Sequence, residues 1–347
     1  LELMKKMSRR DFVPLLGTAL VGGALLSFTE KSSYLIEMRS EFNPPPSLKP
    51  SDTVGICAPA GTIRRDSEVA DFQKIIHGMG FETKLGKNIK NKHGYLAGTD
   101  QERADDFMSM IKDENVKAIF FLRGGWGCAR LLPLLDFDAI KSNPKIIMGF
   151  SDITTLLNAI TEKTKMITFH GPSGNSTWND YSVNYIKQLL VEKLVFSYEN
   201  QSGDSEIWTY SKGIAVGELI GGNLSVLTSL IGTDYLPSWK NKILFLEDVG
   251  EEPYSIDRML MQLKLNGVFD QVKGVILGNF RKCFAEEPDR SFTLEEVFDQ
   301  YFSSLDVPVF YGAQIGHTVN KITVPVGAQV MMDAGKGIIS LLRPAVS

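Results

Sequence analysis

Residues 145–163 read "KIIMGFSDITTLLNAITEK". The apolar run Ile146–Met148 gives way to the turn "GFSD" (149–152), and from Thr155 onward the pattern is helical. A strand that stops at a small-residue turn and restarts as a helix holds its turn residue out at the end of a sheet. Ser151 is that residue, with Gly149 two positions before it and Asp152 directly after. Either the turn is a compact reversal of the chain, or the serine is displayed to attack something.

Working outward, the same design recurs. "TVGICAPA" reads as a strand, followed by a loop and the amphipathic helix "DSEVADFQKIIHGMG", closed by Gly80. "FETKLG" is the next strand. "TDQERADDFMSMIKD" is a helix with a Thr/Asp cap and acids in its first turn. "VKAIFFLRGGWG" is a strand running into glycines, "GCARLLPLLD" restarts as a helix, and "MITFHGP" ends the series. Strands alternating with helices imply an α/β fold with a parallel sheet wound on both faces. Ligands of such sheets sit beyond the carboxyl ends of the strands, where "RGGWG" and "GFSD" both fall. After the polar stretch "YENQSGDSEIWTYSKG", strands dominate ("IAVGELIGG", "KILFLEDVG", "VKGVILGNF", "QVMMDAGKGIISLL"). These predict an α+β or barrel-like second domain. The expected division is 51–190 for the α/β domain and 205–347 for the β-rich one.

Composition agrees with a globular chain: of 347 residues, 43% are apolar and 22% charged. The net charge of -4 has no large basic block behind it, so no nucleic-acid partner is expected. Cys57, Cys128 and Cys283 are scattered and form neither a metal-binding pair nor a disulfide framework. The N-terminus has another character. "MKKMSRRDFVPLLGTALVGGALLSF" joins a basic start and the pair Arg9-Arg10 to a Gly/Ala-rich apolar stretch. That is the layout of a twin-arginine export signal or retained anchor over residues 1–30. It predicts a periplasmic location, free or on the membrane face, with membrane association through this segment. Residues 31–50, with "NPPPSLKPSD", read as a stiff linker.

A serine hydroxyl needs a base to act as a nucleophile, and the base needs an orienting group. The chain has four histidines. His77 falls in an amphipathic helix and His93 in a Lys/Asn-rich loop, both simplest as surface residues. His170 ends a strand near the site, but Gly-Pro after it fits a turn role equally. His317, in "GAQIGHTVNK", follows a short apolar strand and a glycine. For the acid, "ILFLEDVGEEPYSIDRML" puts Glu247 and Asp248 at the end of a buried strand, where a carboxylate pairs with a cation or orients a base. Glu251, Glu252 and Asp257 read as solvated or capping groups. "RGGWG" lacks the spacing and lysine of a phosphate loop. It is either a tight turn or a donor of backbone N–H groups to an oxyanion. The order serine, acid, histidine is that of α/β-hydrolases, but their G-x-S-x-G elbow fails here at Ile153.

Taken in order, "AGTDQERADDF", "FLRGGWGCARLLPLLD", "GFSDIT", "FHGP", "GGNLSVLTSLIGT", "LFLEDVGEEPYSIDRML" and "GAQIGH" resemble the LD-carboxypeptidase family from about Pro50 to the C-terminus. The resemblance implies a flavodoxin-like α/β domain followed by a smaller β-rich domain carrying the acid and base. It implies a serine peptidase that removes the terminal D-alanine of murein tetrapeptides, with neither metal nor organic cofactor, working as a homodimer. Its triad falls on Ser151, Glu247 and His317, and its oxyanion donors on the N–H groups of Gly125 and Asp152. Arg123, Trp126 and His170 are expected against the substrate. Arg123 has two readings, a cation for the substrate carboxylate or a partner for a buried acid. Trp126 and Cys128 stand where tyrosine and serine are common in the family, and the export signal departs from its many cytoplasmic members. Two alternatives compete: a sibling peptidase inactivating microcin C-type peptide–nucleotides, and a non-catalytic periplasmic binding protein.

Overall fold

A computed structural model describes residues 42–199 and 206–347. The expected export signal, and the expected linker as far as residue 41, lie outside the described residues. Residues 42–50 run against the body rather than free of it. Phe42 and Leu48 are buried, and Ser47 N–H donates to the Ser347 carbonyl while Ser347 N–H donates to that of Pro45.

In the first half, strands β1 (Thr53–Cys57), β2 (Glu82–Leu85), β3 (Val116–Phe121), β4 (Ile146–Gly149) and β5 (Thr168–His170) form a parallel sheet in the order 2-1-3-4-5. Helices α1 (Glu68–Gly78), α2 (Asp100–Lys112), α3 (Phe137–Ser142), α4 (Thr154–Thr164) and α5 (Asp180–Leu190) cover it. Side chains alternate between faces along each strand. Phe120 and Met148 pack with α1 and α5, whereas Ile119, Phe121 and Ile147 pack with α2, α3 and α4. The expected Thr cap of α2 is part of a capping box, with Thr99 and Glu102 bonding each other's backbone N–H. The helix expected of "CARLLPL" is present, as a 3-10 helix over Cys128–Leu134. Pro133 lacks the N–H an α-helix would use there.

The second half is an eight-stranded sheet that includes β6 (Ser197–Tyr198). Its centre is parallel: β8 (Ile214–Asn223), β9 (Ile243–Val249), β10 (Gly274–Arg281) and β11 (Val309–Gly316). Antiparallel β7 (Trp208–Ser211), β13 (Gln329–Asp333) and β14 (Ile338–Leu341) extend it. Helices α6 (Leu224–Ser229), α7 (Pro253–Leu265) and α8 (Leu294–Phe302) pack on one face.

Two features fix this half against the first. β12 (Val324–Val326) crosses over to pair antiparallel with β5, closing the first sheet's edge. At the other contact, the Asn223 N–H donates to Thr154 Oγ1 at 3.0 Å, and Asn158 Nδ2 donates to the Gly221 carbonyl at 2.9 Å. Gly222, at φ +145°, allows that approach, because a Cβ there would stand 2.4 Å from Thr154 Cγ2. The helix behind Ser151 is therefore pinned to the end of β8. The β8–β9 register sets Asn223 opposite Glu247.

Candidate active site

Ser151 stands where β4 ends, in a single 3-10 turn (Ser151–Ile153) that leads into α4. Its φ is +64°, the left-handed region that an L-residue enters at a cost of about 1–3 kcal/mol. The surroundings hold it there. Ile153 N–H donates to the Phe150 carbonyl, and Thr154 N–H bonds back to Ser151 and Asp152, leaving the Asp152 N–H outside the turn's bonds.

Gly124 of the "RGGWG" turn lies directly against the serine. A Cβ on Gly124 would sit 2.9 Å from Ser151 Cβ and 3.1 Å from its Oγ. Gly124→Ala is expected to lower turnover about a hundredfold, because small misplacements of a reacting group cost that much. Steady-state rates on a variant with a native circular-dichroism spectrum check this.

The glycine turn is itself braced. Asp152 Oδ2 accepts the Cys128 N–H at 2.8 Å, and Gly61 N–H donates to the Gly124 carbonyl at 3.2 Å. Buried Arg103 reaches the carbonyls of Pro59 and, at 3.0 Å, Gly127, and pairs with Asp100. Gly125 adopts φ +129°, and its N–H enters no backbone hydrogen bond among the described residues. Arg103 was not singled out in the sequence, where an arginine just after a helix cap looks like an exposed residue.

Glu247 follows from the alternation in β9. Ile243 and Phe245 face the core shared with the first sheet, Leu244 and Leu246 face the helices, and Glu247 continues the first set. It is fully buried, and its Oε2 lies 2.7 Å from His317 Nδ1. His317 directly follows β11. Gly316 before it, at φ +98°, leaves room for the carboxylate, since a Cβ there would fall 2.2 Å from Glu247 Oε2. Burial pushes the Glu247 carboxyl up, but the His317 and His170 imidazoles more than offset it and hold it at about 2. With Nδ1 committed to Glu247, the other ring nitrogen of His317 is the one left for a reacting group. His317, which is partly exposed, and Ser151 line the same cleft of about 580 Å³.

Arg64, Arg123, Gly125, Trp126, Asp152, Asn223, Asp248 and Glu251 also line the cleft. Arg123 is buried, and no carboxylate lies within salt-bridge distance of it among the described residues. Nη1 donates to the Thr62 carbonyl at 2.8 Å, and Nε has no partner. Burial and the charge of Arg64 draw its guanidinium below the ordinary value. The buried carboxylate that acts on it is Glu68, whose charge pulls the guanidinium the other way from beyond salt-bridge distance. Trp126 is 59% exposed at the rim, edge-on to the equally exposed Tyr95 at 6.0 Å. His170 corrects an expectation. It is 1% exposed and does not line the cleft. Its strand runs beside β4, between β4 and β12, and the ring packs edge-on to Phe245. Glu251, read as solvated or capping, instead faces the cleft.

Two further ionisable groups are Lys321, which no local sequence signal marks, and Asp248, the strand-end carboxylate beside Glu247. Lys321 is buried with Nζ 5.5 Å over the Phe150 ring, and desolvation draws it down to about 8 against the pull of Glu247. Asp248 accepts bonds from Asn223 Nδ2 and the N–H groups of Ser225 and Val249, yet burial and the Glu247 charge raise it to about 6. Its folded-state value lies above the ordinary 3.8, so the stability it contributes is present below that value and is lost as pH rises to about 6. Asp248→Asn is therefore expected to gain stability relative to the parent between pH 4 and 6, read as urea midpoints across that range.

Residues 54–171 match the LD-carboxypeptidase N-terminal domain and residues 216–332 the LD-carboxypeptidase C-terminal domain. The chain belongs to the LD-carboxypeptidase family, and with it to the carboxypeptidase hydrolases. Among its relatives is the probable murein peptide carboxypeptidase of Bacillus subtilis (strain 168). That protein is 40% identical over 298 residues, covering 84% of this chain and 92% of its own. The microcin C7 self-immunity protein MccF of Escherichia coli is 31% identical over 334 residues, covering 86% and 96%. A structure of MccF with glutamyl sulfamoyl guanosine superposes with a TM-score of 0.80 at 28% identity, covering 88% of this chain and 99% of that one. The muramoyltetrapeptide carboxypeptidase of Oxalobacter formigenes gives 0.73 at 28% identity, covering 83% and 97%.

Proposed function

We propose that this chain is a serine-type LD-carboxypeptidase that releases the terminal D-alanine of a murein tetrapeptide through an acyl-enzyme. The observation that carries the reading is the buried Glu247–His317 contact of 2.7 Å, set in the cleft that also receives the strained Ser151 turn. Ser151 Oγ attacks the carbonyl before the terminal residue, and its proton passes to the free nitrogen of His317. The carbonyl π electrons move onto oxygen, facing the N–H groups of Gly125 and Asp152. Collapse breaks the C–N bond as His317 returns its proton to the leaving D-alanine amine. Water, deprotonated by His317, then cleaves the ester and restores the serine. Arg123, without a carboxylate at salt-bridge distance among the described residues, is the cation for the substrate's terminal carboxylate.

Purified protein incubated with a murein tetrapeptide is expected to yield the tripeptide and free D-alanine, read by mass spectrometry. An unchanged tetrapeptide would overturn the reading. The MccF likeness supports a second one, hydrolysis of a peptide–nucleotide on the same triad. Cleavage of glutamyl sulfamoyl guanosine with the tetrapeptide left intact would select it. Residues Arg9-Arg10 and the apolar stretch behind them support action on the exported side. Retention of the full chain in the cytosol, unaltered when both arginines become lysine, would count against that location.

A further inference from the structure

Glu247 has two oxygens, and only one is accounted for by His317. Its Oε1 is buried and has no hydrogen-bond partner among the described residues. The atom facing it is His170 Nε2, at 3.8 Å, which is likewise buried and without a partner. Leaving either group unsatisfied costs about 1–3 kcal/mol, and more for a charged one. Two such orphans opposite each other in the core, beside a catalytic carboxylate, therefore point to one function.

We propose that His170 is a positioning residue for the triad: its Nε2–H is directed at Glu247 Oε1 and fixes the carboxylate so that Oε2 meets His317. The proton belongs on Nε2, because a lone pair aimed at an ionised carboxylate would be repelled. At 3.8 Å the contact is longer than a hydrogen bond. In apolar surroundings a charge and an N–H dipole at that separation still interact strongly. The ring has little freedom to do anything else. Gly149 flanks the His170 backbone on β4, and Val324 flanks it on β12. Phe245 and Phe150 lie edge-on to the imidazole at 5.2 and 6.1 Å. Phe150 also touches the His317 ring, with centroids 4.8 Å apart, so the two imidazoles and the residue before the nucleophile form one packed group. Besides His170, the titratable groups around Glu247 are His317, the adjacent Asp248 and Lys321.

The inference rests on Glu247 serving His317 as proposed above. It is tested in the full chain with His170→Phe, which keeps a ring but removes the donor, and His170→Gln, which restores an N–H. For tetrapeptide hydrolysis, His170→Phe is expected to lower kcat by about 10–100-fold with KM within twofold. The acid limb of kcat/KM should move to higher pH by half a unit or more, since the Glu247–His317 pair binds its proton more tightly without a second donor. His170→Gln should recover most of the loss. In a Glu247→Gln background, His170→Phe should add little further loss. A kcat within twofold of the parent would overturn the proposal. So would a lower kcat with the acid limb unmoved and no recovery in His170→Gln, which would make His170 a packing residue only. If His170→Phe does not fold, His170→Gln in the two backgrounds decides by the same cycle. Titration of the His317 ring carbon by NMR reads the pair without turnover. Movement of that titration in His170→Phe would uphold the proposal even if the tetrapeptide proved not to be the substrate.

Discussion

Ser151→Ala and His317→Ala are each expected to reduce tetrapeptide turnover by roughly a millionfold, with the double variant no slower than either single one. Without the hydroxyl there is no acyl-enzyme, and without the imidazole the hydroxyl keeps its proton, so each loss removes the same step. What survives is rate supplied by substrate binding and by the backbone donors at Gly125 and Asp152. That residue stands some three to four powers of ten above the uncatalysed reaction in other triads. Affinity for the tetrapeptide should persist in all three variants, since Arg123 and the cleft walls are untouched. Single-turnover rates and equilibrium binding provide the measurement. Near-normal turnover in Ser151→Ala eliminates the acyl-enzyme. Losses that multiply in the double variant show that the two residues do not act as one.

Glu247→Gln is expected to cost about three to four powers of ten in turnover. The amide fits the space but cannot stabilise the imidazolium that forms when His317 takes the serine proton. It also meets two imidazoles, at 2.7 Å from Oε2 and 3.8 Å from Oε1. A carboxylate presents an acceptor atom to each, whereas an amide presents one acceptor and one donor. Whichever way it turns, its NH₂ confronts an imidazole N–H or forces a change of tautomer. Turnover within tenfold of the parent would show that the charge of Glu247 is not used. The comparison needs kcat and KM together, because binding should change little.

Much of this site follows from short-range pattern. The apolar run 146–148, the glycine and the helical spacing after Thr154 are sufficient to set Ser151 at a strand end, since each signal acts over a few residues. Thr99 and Glu102 announce the start of α2 in the same local way, and the period-two alternation in "ILFLEDV" is enough to bury Glu247. Pro133, inside the 3-10 helix Cys128–Leu134, is a local signal of the same kind, because it lacks the N–H that an α-helix would use there.

The pairing of these elements is a different matter. His317 and Glu247 are 70 positions apart, and His170 and Val324 are neighbours only because β12 leaves its own half to join the first sheet. Nothing in the intervening sequence encodes such a crossing, because it is selected by the joint burial of apolar faces from both halves. The same holds for the burial of His170, for Lys321 over Phe150, and for Arg103 behind the glycine turn. Composition around each of these residues suits a surface or a turn equally well. The sequence by itself determined which residues stand at strand ends and which side of a strand they occupy, because backbone periodicity carries that information locally. Only the tertiary structure decided which of those ends meet, and so which polar atoms are shut away from water with one another as their sole partners.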